Sequence, residues 1–255
     1  MTMSESQQDA ARRPSANPEA GSEELLPSWS AALVVVAHPD DETFGLGGII
    51  DLMTSAGTAV HILCYTHGEA STINDSNADL HRTRAEELRQ ASAELRAASV
   101  KLLEYADGQL AAVPAAELAG QVLDLIARYH PDGLLVFDDT GITGHRDHRA
   151  ATRAAVAAAA TAALPVLAWA LPAAVAGRLR EETGQPFAGQ QPGRIDLCVR
   201  VNRAVQRRAA LMHASQISPT AVLWRRLQLL GDSEHLRWLL PPAAPSALSL
   251  DVRRA

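Results

Sequence analysis

Two short stretches carry the residue types that metal-assisted hydrolysis needs. His38-Pro39-Asp40-Asp41-Glu42 sets an imidazole beside two adjacent carboxylates, and Gly144-His145-Arg146-Asp147-His148 sets two imidazoles around a third. A neutral imidazole and a carboxylate are good Zn²⁺ ligands, and the fixed φ of Pro39 stiffens the turn in which His38 and one aspartate converge. Adjacent carboxylates do not easily both reach one ion in so tight a turn. Asp41 is therefore read as the metal ligand and Asp40 as a free base, placed to take a proton from a metal-bound water. The competing reading is that Asp40 or Asp41 only caps a helix beginning near Thr43, as aspartate often does. A catalytic zinc takes three protein ligands and keeps a fourth position open. His38, Asp41 and either His145 or His148 supply that number; the spacing leaves open which histidine binds, and the other is free to act. Asp147 can accept a hydrogen bond from an imidazole N–H and so fix its tautomer or favour its charged form.

Both clusters need elements that bring them to one place. Leu33-Val34-Val35-Val36 and Leu134-Leu135-Val136-Phe137 are short apolar runs of the kind that form buried strands, and each runs directly into one of the polar clusters. In open α/β sheets ligands bind at the carboxyl ends of the strands. A solvated His/Asp/Arg loop would explain the second cluster by itself; two clusters at two strand ends argue for a site. Further strands are expected at 59–65, 100–103, 166–171 and 195–201, alternating with helices at 80–98, 117–129 and 203–213. That alternation predicts an α/β chain: a Rossmann-like, doubly wound, mostly parallel sheet with helices on both faces. His61 inside a strand reads as structural. The loop over 67–77 lies at the same sheet edge as the clusters, and its length suits a mobile substrate flap.

The two motifs, AHPDDE at 37–42 and GHRDH at 144–148, resemble the PIG-L or LmbE-like deacetylases. These are zinc enzymes that remove an N-acyl group, typically from GlcNAc-type substrates, and they include the deacetylases of mycothiol and bacillithiol synthesis. The resemblance implies an LmbE-like fold with His38, Asp41 and His148 as zinc ligands, which decides between the two histidines. It makes Asp40 the general base, His145 the residue that stabilises the oxyanion and helps protonate the leaving amine, and Asp147 the orienting partner of His145. Arg84-x-x-Glu87-Leu88 matches the family's R-x-x-E-L pattern, which implies that Arg84 rather than the neighbouring Arg82 contacts substrate. Tyr105-Ala106-Asp107-Gly108 resembles a short family turn. The run from Arg208 through His213 to Gln216 resembles a pattern that normally begins with Lys, so no role is carried over to Arg208. With the resemblance of Gly231 through Arg237 to the family's ending, the match spans roughly residues 33–240.

Composition narrows the rest. A chain of 255 residues with 47% hydrophobic content can bury a substantial core, and one domain is expected over 29–255 behind a disordered polar tail at 1–28. Arg12 and Arg13 are not followed by the apolar run of a signal peptide. A net charge of −6 without a basic stripe argues against a nucleic-acid partner. The Ala-rich stretch 150–171 contains Arg153 and Pro165, so it is read as a buried helix followed by a strand, and no membrane partner is expected. Cys64 and Cys198 lie in apolar runs and are expected to be buried, unpaired thiols of a reducing, cytoplasmic compartment. Gly45-Leu46-Gly47-Gly48 departs from G-x-G-x-x-G, and the acidic pair before it would repel a pyrophosphate; a dinucleotide is rejected, and the glycines are assigned to close helix-to-sheet packing.

Together these readings give a zinc-dependent N-deacetylase that hydrolyses the acetamide of a small GlcNAc-type sugar or sugar conjugate. Fe²⁺ or another divalent metal is acceptable to the same ligands in the cell, and a homo-oligomer is compatible with the sequence. The alternatives are a zinc hydrolase of a non-sugar natural-product amide or ester, and a degenerate zinc-binding protein. The presence of Asp40 and His145 argues against the last, because a structural zinc needs neither.

Overall fold

The computed structural model describes residues 25–73 and 79–243. The expected tail at 1–28 therefore falls largely outside the described residues, as do positions 74–77 of the expected flap.

Strand β1 (Ala31–Val36) leads through a tight turn into a single helical turn, α1 (Asp41–Phe44), and then α2 (Gly47–Ser55). There follow β2 (Ala59–Thr66), α3 (Leu80–Glu94), β3 (Ser99–Tyr105), α4 (Ala115–Tyr129), β4 (Gly133–Phe137), α5 (Arg146–Ala162) and β5 (Val166–Trp169). The last third contains α6 (Ala173–Thr183), β6 (Leu197–Arg200), α7 (Arg203–Met212), α8 (Val222–Leu230) and β7 (Ser233–Leu240). The seven strands lie in the order β3-β2-β1-β4-β5-β7-β6. The first five pair in parallel, and β7 inserts antiparallel between β5 and β6. This is the expected Rossmann-like α/β fold.

The unbroken apolar reading of the central strands has a direct cause. In β1, Ala32, Val34 and Val36 join one core cluster with Ile49, Ile50 and Met53 of α2 and Leu88 of α3. Leu33 and Val35 join the cluster on the opposite face, with Leu118, Val122 and Leu125 of α4 and five alanines of α5. Successive side chains of a strand point to opposite faces, so a strand covered by helices on both sides is apolar at every position. The sheet reverses its winding between β1 and β4: the chain moves from β1 outward to β2 and β3, then returns to β4 on the other side of β1. That reversal is the switch point at which α/β sheets open a crevice for ligands. The AHPDDE turn follows β1 and the GHRDH turn follows β4.

Several expected boundaries shift. The helix read over 80–98 ends at Glu94, because Arg96 turns the chain at φ 58° toward β3. The strand read over 166–171 ends at Trp169, ahead of the bridge between Pro172 and Gln190. Cys64 is buried as expected, but Cys198 is exposed: β6 lies at the sheet edge and alternates its faces, so only Val199 of its central pair turns inward. The glycines after the first motif pack as read for Gly45, where a Cβ would strike Phe137 of β4. Gly47 and Gly48 instead admit α7, since a Cβ on Gly47 would lie 2.9 Å from Gln206. Arg208 of α7 pairs with Glu94 of α3 at 2.6 Å on the surface.

Candidate metal centre

The turn after β1 is shaped by its own carboxylates. Asp41 folds back so that Oδ2 accepts the backbone N–H groups of Ala37 and His38 at 3.1 and 2.9 Å. Oδ1 is left facing His148 Nε2 at 3.2 Å. Asp40 sits at the N-cap position of α1, yet its side chain makes no capping bond, so the capping reading is not realised there. Its backbone is held at φ 109°, a conformation an L-residue adopts only under constraint. The constraint is Glu42, whose Oε2 accepts the Asp40 N–H at 3.0 Å and whose Oε1 lies 2.6 Å from Nε2 of the fully buried His213.

His38, Asp41 and His148 meet where the two turns face each other. His148 Nδ1 lies 3.2 Å from the carbonyl of Gly141, which requires the proton on Nδ1 and leaves Nε2 a lone pair. His38 Nε2 is 3.0 Å from Asp107 Oδ1 and 3.5 Å from Asp147 Oδ2, contacts that place the His38 proton on Nε2 although neither carboxylate is in hydrogen-bond alignment. His38 Nδ1, then also a lone pair, is 3.3 Å from His148 Nε2 and 3.6 Å from Asp41 Oδ2. Lone pairs aimed at one another across such distances repel unless a cation lies between them. This donor set fits a metal, with the carboxylate–histidine arrangement that orients metal-bound imidazoles. Ring nitrogens of His38, His145 and His148 also lie within 4.8 Å of one another, as do a His38 nitrogen and carboxylate oxygens of Asp107 and Asp147 in a second, overlapping group.

Burial pushes His38 down, but the carboxylates of Asp107, Asp147 and Asp41 outweigh it and hold the imidazole well above its ordinary value. Burial opposes ionisation of Asp41, and the His148 and His38 rings beside it still carry the group well below the usual carboxylate range. Burial pushes the Asp40 carboxyl up to about 6, against the Arg84 guanidinium that draws it down. A carboxylate near that value is suited to general-base work at neutral pH.

The remaining sequence-derived residues take specific places. His145 is the N-cap of α5, and its Nδ1 accepts the Asp147 N–H at 3.2 Å. The neutral ring therefore carries its proton on Nε2, and burial together with the neighbouring His148 lowers its pKa. The Asp147 carboxylate does not bond to His145. It accepts the N–H groups of Gly108 and Leu110 at 2.7 and 3.2 Å and faces His38. Arg84 is buried at the site, where its guanidinium donates to the carbonyls of Pro39 and Gly68 and to Asp40 Oδ2 at 3.0 Å. Gly68 has φ 63°, and a Cβ there would collide with that guanidinium. Sequence reasoning did not single out Asp107, Glu42 or Glu87 for the site. Glu87 accepts Ser215 N and Oγ at 2.7 Å each and so anchors the segment holding Gln216. Each lay inside a quoted pattern without a role of its own: Glu42 in AHPDDE, Glu87 in R-x-x-E-L and Asp107 in the Y-A-D-G resemblance.

A cavity of about 480 Å³ opens above the centre, lined by Ser71, Asp107, His145 and Gln216 among others. Two larger cavities, about 580 and 700 Å³, contain no residue of either motif. No helix among the described residues is long and apolar enough to cross a membrane.

The model of the GlcNAc-PI de-N-acetylase family, PIG-L, matches residues 33–159. A 1D-myo-inositol 2-acetamido-2-deoxy-alpha-D-glucopyranoside deacetylase of Mycobacterium sp. (strain KMS) is 30% identical over 239 residues, 78% of this chain and 77% of that protein. A probable N-acetylglucosaminyl-phosphatidylinositol de-N-acetylase of Schizosaccharomyces pombe is 30% identical over 139 residues, where the match spans 53% of that protein's length. Among solved structures, the N,N'-diacetylchitobiose deacetylase of Pyrococcus horikoshii aligns with TM-score 0.63 at 20% identity, over 83% of this chain and 84% of that one. GalB, the 4-carboxy-2-hydroxymuconate hydratase of Pseudomonas putida KT2440, aligns with TM-score 0.64 at 20% identity, over 85% and 98%. A deacetylase and a hydratase thus share the fold, and the fold by itself does not select the reaction.

Proposed function

Since the chain belongs to the PIG-L family of GlcNAc-PI de-N-acetylases, we propose that it is a zinc-dependent amidohydrolase that removes the acetyl group from a GlcNAc-type sugar or sugar conjugate. The observation that carries this reading is the meeting of the two turns, with His148 Nε2 3.3 Å from His38 Nδ1 and 3.2 Å from Asp41 Oδ1, Asp40 beside them and His145 on the cavity wall. His38, Asp41 and His148 hold the metal, and Fe²⁺ is an acceptable substitute for Zn²⁺ at such a nitrogen and oxygen set. Bound there, Zn²⁺ polarises the acetamide carbonyl and lowers the pKa of a coordinated water to about 7.

The chain's own groups do the rest. Asp40 takes the proton of the attacking water, and Arg84 holds the carboxylate on that line through Oδ2. His145 donates Nε2–H to the carbonyl oxygen as it gains charge, in the neutral state that its acceptor bond at Nδ1 requires. With that proton committed to the oxyanion, protonated Asp40 is the donor to the leaving nitrogen; the C–N bond breaks, and acetate and a free amine depart. The site lies in an open cavity of a size suited to a sugar ring, with polar groups of Ser71 and Gln216 on its wall.

The test is release of primary amine from N-acetylglucosamine, N,N'-diacetylchitobiose and N-acetylglucosaminyl-inositol by metal-reconstituted protein. Turnover of at least one, reduced about 10²–10⁴-fold in Asp40→Ala, is the expected result for loss of a general base. Turnover that survives unchanged in Asp40→Ala overturns the assignment of the base. Silence on all three substrates with metal bound overturns the sugar and leaves a non-sugar amide or ester as the class to assay.

A further inference from the structure

His213 follows the last residue of α7 and meets Glu42 of α1 in the interior, where both side chains are fully buried. A carboxylate oxygen only accepts, so at 2.6 Å the imidazole Nε2 donates to Glu42 Oε1. Nδ1 of the same ring is sealed from solvent and has no partner among the described residues. Glu42 Oε2 points the other way and accepts the Asp40 N–H at 3.0 Å. The carboxylate therefore bridges a ring at the end of α7 and the backbone of Asp40.

Stability alone does not call for this pair. Taking an imidazole and a carboxylate out of water is costly, an unbonded Nδ1 adds to the cost, and apolar side chains of similar volume often fill such a place without loss. Capping explains one half of the arrangement, since a carboxylate in the first turn of a helix can reach back to the N–H of the cap residue. It does not explain why that carboxylate is gripped from behind by a histidine whose only hydrogen bond is to it. What the pair holds is a backbone outside its ordinary range: Asp40 has φ 109° and ψ −29°, which an L-residue does not keep without constraint. In that geometry the two adjacent carboxylates part company. Asp41 turns back onto the N–H groups of Ala37 and His38, and Asp40 turns to Arg84 at the cavity wall. The end of the same turn is held from the same side, by Gln206 of α7 donating to the Thr43 carbonyl at 2.9 Å and Arg226 of α8 donating to the Phe44 carbonyl. Glu42 and His213 hold its start.

We propose that Glu42 and His213 are a positioning pair for the general base. His213 fixes the Glu42 carboxylate, and Glu42 fixes the Asp40 backbone so that the Asp40 carboxylate faces the attacking water. The proposal rests on the reading of Asp40 as the base, and it gives the run from Arg208 to Gln216 a part in the chemistry through His213.

The experiment compares the wild type with Glu42→Gln, the double variant Glu42→Leu/His213→Leu and Asp40→Ala, each as the zinc-reconstituted full chain. It reads kcat, KM, bound metal and, by NMR, the hydrogen exchange of the residue 40 amide. Glu42→Gln keeps an oxygen for the Asp40 N–H, and kcat and amide protection close to wild type are expected. The apolar double variant is expected to fold, bind metal and keep its KM, while the residue 40 amide loses protection and kcat falls about 10²-fold, the scale of loss for a reacting group misplaced by an ångström. A pair that only supports the fold would shift the melting temperature and leave kcat of the folded protein in place. Wild-type kcat and intact protection in the double variant overturn the proposal. Loss of metal together with kcat also overturns it, because the pair would then serve Asp41. Should the double variant not fold, the wild type decides: an Asp40 amide that exchanges as freely as one in solvent contradicts the proposal by itself. Full turnover in Asp40→Ala is the failure of the base reading; turnover lost in Asp40→Ala but kept in the double variant is the failure of this proposal alone.

Discussion

His38 uses both of its ring nitrogens: Nδ1 turns to His148 and Asp41, and Nε2 to Asp107 and Asp147. That division was half legible in the sequence. The AHPDDE and GHRDH motifs place His38, Asp41 and His148 because local turns carry them, three and four residues at a time. Asp107 lies 69 positions from His38, and no periodicity or spacing connects the two. Asp147 could be recognised as an imidazole's partner, but which imidazole depends on the docking of the Gly108 turn over it. Arg84 was legible as a site residue, yet its guanidinium is engaged with Asp40 and two carbonyls, so it acts on the base as well as at the cavity wall. A pH profile tests this. A general base must be ionised, so kcat/KM is lost as pH falls through the Asp40 pKa. Burial sets that value at about 6, and a bound divalent cation moves it lower. Arg84→Ala removes a positive charge that favours the carboxylate, and the acid limb is expected to move to higher pH. A limb that stays in place while KM alone changes would assign Arg84 to substrate only.

At the scale of elements, the site depends on how closely helices approach the sheet and each other. The face of α5 toward the sheet is built from Ala151, Ala154, Ala155, Ala158 and Ala159, all buried. Small side chains let α5 lie close, and α5 begins at the His145 cap. Ala155→Leu overfills that face and is expected to cost about 1–3 kcal/mol in urea denaturation; an unchanged midpoint would mean that α5 has room there. The Ala-rich run was legible as a buried helix because its only charge, Arg153, falls on the outer face. Less legible was the joint between α1 and the end of α7, where Glu42 meets His213 at a separation of 171 residues. Burial lowers the His213 pKa, but Glu42 and Asp40 outweigh it and raise it above 6.5. A raised folded-state histidine stabilises the fold fully below 6.5, and that stabilisation is lost as pH rises through the folded value. Glu42→Gln is therefore expected to lower the melting temperature more at about pH 6 than at about pH 9. A deficit that does not change with pH would show that the pair is held as neutral partners.

The molecule as a whole places its chemistry where the sheet topology reverses. Alternating strands and helices made the parallel half and its right-handed crossovers legible, and with them the neighbouring of β1 and β4 that brings the two motifs together. The last third was harder to read. β7 is antiparallel and interposed between β5 and β6, so its Arg237 reaches Asp138 at the end of β4 at 3.1 Å without a local pattern to announce it. Edge strands such as β6 also have one exposed face, which is why an apolar run there put Cys198 on the wrong side. The central claim is that the β1 and β4 turns jointly hold one metal ion used for hydrolysis. The most direct test counts ions per chain in Asp40→Ala and in His148→Ala. One ion in Asp40→Ala and none in His148→Ala are expected, with activity lost in both. Full occupancy in His148→Ala would contradict it.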